Sequence, residues 1–86
     1  MAMPMPPSTI ADEFRTRDLG ISAFLVARET PLLRTEQEGR ITIFVFPGSA
    51  ETLARLFYHP GQNTVDARKF HVALRELRGL TEVQHW

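Results

Sequence analysis

The residues best suited to chemistry in this chain are scarce. Histidines stand at positions 59, 71 and 85, and no two have the helical spacing that would make a metal-ligating pair. His59 precedes Asp66 by seven residues across Pro60-Gly61-Gln62-Asn63, so a loop can bring an imidazole and a carboxylate together for proton transfer. The simpler reading puts His59 at a helix C-terminus, where partial positive charge is favoured, and uses Asp18 and Asp66 as helix caps. There is no cysteine, hence no thiolate zinc site and no thiol nucleophile. No Gly-x-Ser-x-Gly elbow and no phosphate-cradling P-loop occurs. Phe46-Pro47-Gly48-Ser49-Ala50 passes through glycine into a helix and can offer free N–H groups to an anion; an ordinary serine-capped connection explains it as well. These residues predict a protein that is not an enzyme, with no catalytic residue, no metal and no cofactor.

The arginines say more. Of ten basic residues only Lys69 is a lysine, and guanidinium groups favour planar, bidentate contacts to phosphate, carboxylate or guanine. At about 100° per residue, Arg68, His71, Arg75 and Arg78 fall within a sector of roughly 80°, beside the apolar face of the last helix. A basic stripe on a helix reached by a Gly-containing turn suits a helix-turn-helix arrangement, with arginines on phosphates or base edges. The competing reading is a solvated face with local pairs, such as Glu76 near Arg75 and Lys69. Arg15 and Arg17, on a short first strand, form a second basic surface. Phe44 and Phe46 are a third feature: if helices cover Ile41, Ile43 and Val45, these rings lie on the open sheet face, where they stack bases or join a second copy. Trp86 either hangs loose or folds back over the sheet.

The elements that must position these residues follow from pattern. Arg40-Ile41-Thr42-Ile43-Phe44-Val45-Phe46 is the most strand-like run, apolar on both faces, as an inner strand requires. Phe14–Arg17 reads as an edge strand. Asp18 caps a short buried helix through Leu19, Ile21, Phe24, Leu25 and Ala27, ended ahead of Pro31. Residues 32–36 read as the next strand, with a hairpin turn at Glu38-Gly39. Ser49 caps a helix carrying Leu53, Leu56 and Phe57, stopped by Pro60-Gly61. Asn63 or Thr64 caps the last helix, about Val65 to Arg78, with Phe70, Ala73, Leu74 and Leu77 inward and Gly79 as its stop. The expected fold is α+β: a small antiparallel sheet of about three strands with helices packed mainly on one face, in the order strand-helix-strand-strand-helix-helix. Residues 1–13, with Pro4, Pro6 and Pro7, read as a flexible leader, 14–80 as one domain and 81–86 as a tail.

Thr16-x-Asp18-Leu19, Gly39 before Ile41-x-Ile43-Phe44-x-Phe46, Val65-x-Ala67-x-x-Phe70 and Leu74-x-x-Leu77-Arg78 together resemble a family of uncharacterised small bacterial and archaeal domains of about 70 residues. That resemblance spans roughly residues 14–80. It implies a fold and carries no catalytic residues with it.

A chain of 86 residues buries only about 60% of its unfolded surface, so self-association would help it. At 43% hydrophobic and 23% charged, its composition is that of an ordinary folded domain. A net charge of zero gives no global pull towards nucleic acid or an anionic membrane, so binding must come from a local patch. The first residues do not form a signal peptide and no run approaches the ~20 apolar residues of a membrane span; a cytoplasmic protein without membrane contact is expected. Two functions are carried forward. The first is nucleic-acid binding through Arg68, His71, Arg75 and Arg78, with Arg15 and Arg17 as a secondary surface. The alternative is a protein–protein adaptor, a homodimer joined through Phe44, Phe46 and Trp86.

Overall fold

The computed structural model describes residues 13–82. The expectations for the leader and for Trp86 fall outside these residues. The order of elements is β1 (Glu13–Thr16), α1 (Leu19–Ala27), β2 (Arg34–Glu38), β3 (Ile41–Pro47), α2 (Ala50–Leu56) and α3 (Ala67–Glu82). The strands form an antiparallel sheet in the order β1-β3-β2. The α+β class, the element order and the inner position of Ile41–Pro47 are thus as the sequence predicts.

Local chemistry sets the boundaries. Asp18 accepts a hydrogen bond from the Ile21 N–H at 2.8 Å, closing the first turn of α1. Gly20 follows because a Cβ there would come within 3.3 Å of the Phe57 ring. Phe57 in turn sits edge-on to Phe24, with centroids 5.6 Å apart. Helix α1 is buried almost all round, which requires partners on several sides. The sheet, α2 and α3 supply them. Ser22, fully buried inside α1, donates its hydroxyl to the Asp18 carbonyl at 2.8 Å, so no polar atom is stranded. The β2–β3 hairpin turns on Gly39-Arg40, with Glu38 opposite Ile41. Only the first of these two residues has positive φ (Gly39, +64°), the pattern of a type II′ turn.

Which face of the sheet meets the helices differs from expectation. Phe44 and Phe46 are 1% and 0% exposed and belong to the core with Ala23, Leu25, Ala73 and Leu77. Ile41, expected inside, is 37% exposed. The register gives the reason. Val45 lies opposite Arg15 and Arg34, and Ile43 opposite Glu36, so the Ile41/Ile43/Val45 face is also the face of the charged residues, which are almost never buried beneath helices. Phe46 lies opposite Phe14, and Phe44 opposite Thr16 and Thr35. The two rings therefore fill the helix side, and they offer no surface for base stacking or for a second copy.

Val45 is nevertheless completely buried. Above it, Arg34 forks onto Glu13 at 2.8 and 3.0 Å and reaches Glu36 at 2.9 Å, while Arg15 bonds Glu36. The aliphatic stems of these side chains roof the valine while their charged ends stay in water. Hydrogen bonding to Arg34 lowers the Glu13 pKa, and hydrogen bonding to Arg15 and then Arg34 lowers that of Glu36.

Three further details correct the expected boundaries. Ser49 makes no side-chain cap bond. Of the expected caps of α3, Asp66 fills the role, accepting from the Lys69 N–H at 2.9 Å, and Asn63 does not: it donates to the Phe57 carbonyl at 2.9 Å and so closes the end of α2. Gly79 does not stop α3, which runs on to Glu82.

Candidate nucleic-acid interface

Helix α3 is held against α1 by its apolar stripe. Ala73 and Leu77 are buried, and Phe70 and Leu74 pack half-buried on the same core. Two polar ties fix its N-terminal end. Arg28, stacked over the Phe24 ring at 5.3 Å, donates to the Thr64 carbonyl at 2.8 Å. Lys69 pairs with Glu29 at 2.9 Å, which raises the lysine pKa. Glu29 has φ of +70° in the turn that follows α1, so the backbone reversal there presents the carboxylate to α3.

With the apolar stripe inward, Arg68, His71, Arg75 and Arg78 all come out exposed, and helical geometry keeps them on one side. Among the side chains of residues 13–81 none of the three arginines has a carboxylate partner or a side-chain hydrogen bond. Other cations are engaged: Arg15 and Arg34 on the open sheet face, Arg55 with Glu51 at 2.9 Å, Lys69 with Glu29, and Arg28 with Thr64. Glu76 pairs with neither Arg75 nor Lys69.

The remaining sequence candidates scatter. Arg15 points out of the opposite, open face of the sheet and is neutralised there by Glu36 and Glu13, so it shares no surface with α3. Arg17 lies just past β1, exposed. The helix-turn-helix arrangement is absent: residues 57–66 separate α2 from α3, where that motif uses a turn of three or four residues. The Gly48–Ser49 connection is an ordinary turn, with the Glu51 N–H bonded to the Gly48 carbonyl at 3.1 Å. Glu51 itself supplies negative charge to the first turn of α2. His59 is exposed beyond the end of α2, and Asp66 spends its carboxylate on the α3 cap. Among the described residues no three His, Cys, Asp or Glu side chains cluster as metal ligands, and no helix is long and apolar enough to cross a membrane.

One surface-lining cation escaped the sequence reading. Arg40, in the hairpin turn, borders a recess that also takes in Arg17, Thr42 and Thr81. Nothing in the linear pattern brings residues 17, 40 and 81 together; only the closed hairpin does. No protein-family model matches the chain, and neither a curated protein nor a solved structure is similar to it.

Proposed function

We propose that this protein is a small non-catalytic nucleic-acid-binding protein that uses the exposed side of α3, with Arg68, Arg75 and Arg78 on phosphates or base edges and His71 beside them. The observation that carries this reading is the segregation of unpaired positive charge. Arg15 and Arg34 on the sheet and Arg55 on α2 are matched by carboxylates, while three arginines on one side of one helix are not; two other unmatched arginines, Arg17 and Arg40, lie apart at the hairpin end. From Arg68 to Arg78 the helix rises about 15 Å, enough to meet several phosphates of one strand. Arginine is suited to that work because its forked donors match phosphate oxygens.

The test is binding of the full chain to labelled single- and double-stranded DNA and RNA across a salt series. Three phosphate contacts to duplex DNA give a slope of log K against log salt of about −2.7, roughly a 40-fold loss between 50 and 200 mM. The R68A/R75A/R78A variant, folded as judged by its urea midpoint, is expected to lose that dependence. Arg55→Ala, which removes an exposed but paired arginine, is expected to change little. Absence of binding at low salt, or unchanged binding by the triple variant, refutes the proposal.

A further inference from the structure

A recess of about 750 Å³ opens at the hairpin end of the sheet, on the helix side, between the Gly39-Arg40 turn, the β1–α1 connection and the last turn of α3. Helix α1 begins only at Leu19 and covers Phe44 and Phe46, so the outermost part of the hairpin on this face, around Thr42, is left without a helix over it. The volume is that of a small-molecule site, and its lining divides into three kinds of group.

The first is cationic. Arg17 and Arg40 both border the recess. Neither has a hydrogen-bond or carboxylate partner among the described residues, and no described carboxylate lines the space. Asp18, next to Arg17, is occupied with the Ile21 N–H. The second kind accepts hydrogen bonds. Thr42 already donates its hydroxyl proton to Gln37 at 2.8 Å, and Thr81 donates its own to the Arg78 carbonyl at 2.7 Å, so both threonine oxygens present lone pairs. The third kind is apolar and small: Leu19, with Ile41 at the rim, while Phe44 borders the space but is itself buried.

We infer that this recess binds a phosphomonoester carried on a hydroxylated, ring-bearing body, the chemistry of a nucleotide's phosphorylated end. Two unmatched guanidinium groups call for a dianion. A phosphomonoester carries about −1.5 to −2 at neutral pH with three acceptor oxygens, whereas a carboxylate would leave one cation unneutralised. Hydroxyls of the ligand donate to Thr42 and Thr81, and its body rests against Leu19. The site stands apart from the α3 stripe, since none of Arg68, Arg75 and Arg78 lines it. The same chemistry has two sources, a free nucleotide or the 5′-phosphate end of a strand.

The experiment is calorimetric titration of the full chain with adenosine 5′-monophosphate, adenosine and inorganic phosphate, followed by short oligonucleotides with a 5′-phosphate or a 5′-hydroxyl. The monophosphate is expected to bind one-to-one, and adenosine at least about 100-fold more weakly. The loss should recur in R17Q/R40Q, while R68A/R75A/R78A retains monophosphate binding, which separates this site from the nucleic-acid reading. Arg40→Gln alone serves if the double variant does not fold, because Arg40 lies in an exposed turn. A 5′-phosphate that tightens oligonucleotide binding about tenfold identifies the strand end as the source. Equal oligonucleotide binding alongside monophosphate binding identifies the free nucleotide. No monophosphate binding at millimolar concentration, or binding that survives R17Q/R40Q or Arg40→Gln unchanged, overturns the inference.

Discussion

Replacing Phe44 by leucine and Ile41 by threonine, separately, measures which face of β3 is inside. Phe44 is 1% exposed, with partners on both neighbouring strands and helices above it. Phe44→Leu removes aromatic volume from the core and is expected to cost about 1–2 kcal/mol. Ile41 is 37% exposed at the hairpin end, where threonine keeps the β-branch, and Ile41→Thr should cost no more than about 0.5 kcal/mol. The 70 described residues set a total stability of roughly 3.5–10 kcal/mol, so the larger effect is easily read. With m near 1 kcal/mol/M for a small domain, the urea midpoint falls by about 1–2 M for Phe44→Leu and by less than about 0.5 M for Ile41→Thr. Were the sheet reversed, a buried threonine hydroxyl without a partner would make Ile41→Thr the worse variant by more than about 1 kcal/mol, and Phe44→Leu would be nearly silent. That inverted order would refute the assignment of faces, and with it the removal of Phe44 and Phe46 from the candidate interface.

Two more predictions concern the elements that frame the surface. Gly79 lies inside α3 with nothing within 4 Å of where a Cβ would stand; Gly79→Ala is expected to stabilise the protein by about 0.5–1 kcal/mol and raise Tm by several degrees, and a fall in Tm would show that the glycine ends the helix after all. Glu13 and Glu36 have folded-state pKa values below the ordinary 4.5, so their contribution is present above that value and is lost as pH falls through it towards the lower folded-state values. The urea midpoint should therefore drop as pH falls below 4.5, and E13Q/E36Q should flatten that drop; an equal slope in the variant would mean the ion pairs over Val45 contribute nothing.

What was legible in the sequence divides by range of interaction. Asp18 could be read as a cap because its partner, the Ile21 N–H, is three residues away. The basic side of α3 could be read from period alone, because an exposed surface needs no tertiary partner to define it. The facing of β3 could not, since both of its sides are apolar and the decision rests with residues 21 or more positions apart in sequence that meet across the sheet: Arg15 with Glu36, and Glu13 with Arg34. Asn63 shows the same limit at shorter range. It is a good cap by type, but its amide closes the helix before it, and Asp66 takes the position it was expected to hold.

The zero net charge argues less strongly against a polyanion partner than it first suggests, because the acids are not spread evenly against the bases. Glu13, Glu36, Glu29 and Glu51 are spent in ion pairs, and Asp18 and Asp66 in helix caps. The four ion pairs remove four acids and four bases and leave the count balanced, so what a ligand meets is set by where the remaining charges lie. Fields at physiological salt decay over about 8 Å, and α3 packs on α1, on the side of the sheet away from the ion pairs over Val45. A ligand approaching α3 therefore does not sense the neutralised lattice on the far side of the sheet. It meets Arg68, Arg75 and Arg78 as local charges, and one that reaches the hairpin end meets Arg17 and Arg40. Four carboxylates are taken up in ion pairs while Glu38 and Glu76 stay exposed and, among the described residues, unpaired, so the distinction of α3 lies in three arginines gathered on one side of it rather than in any overall surplus of base.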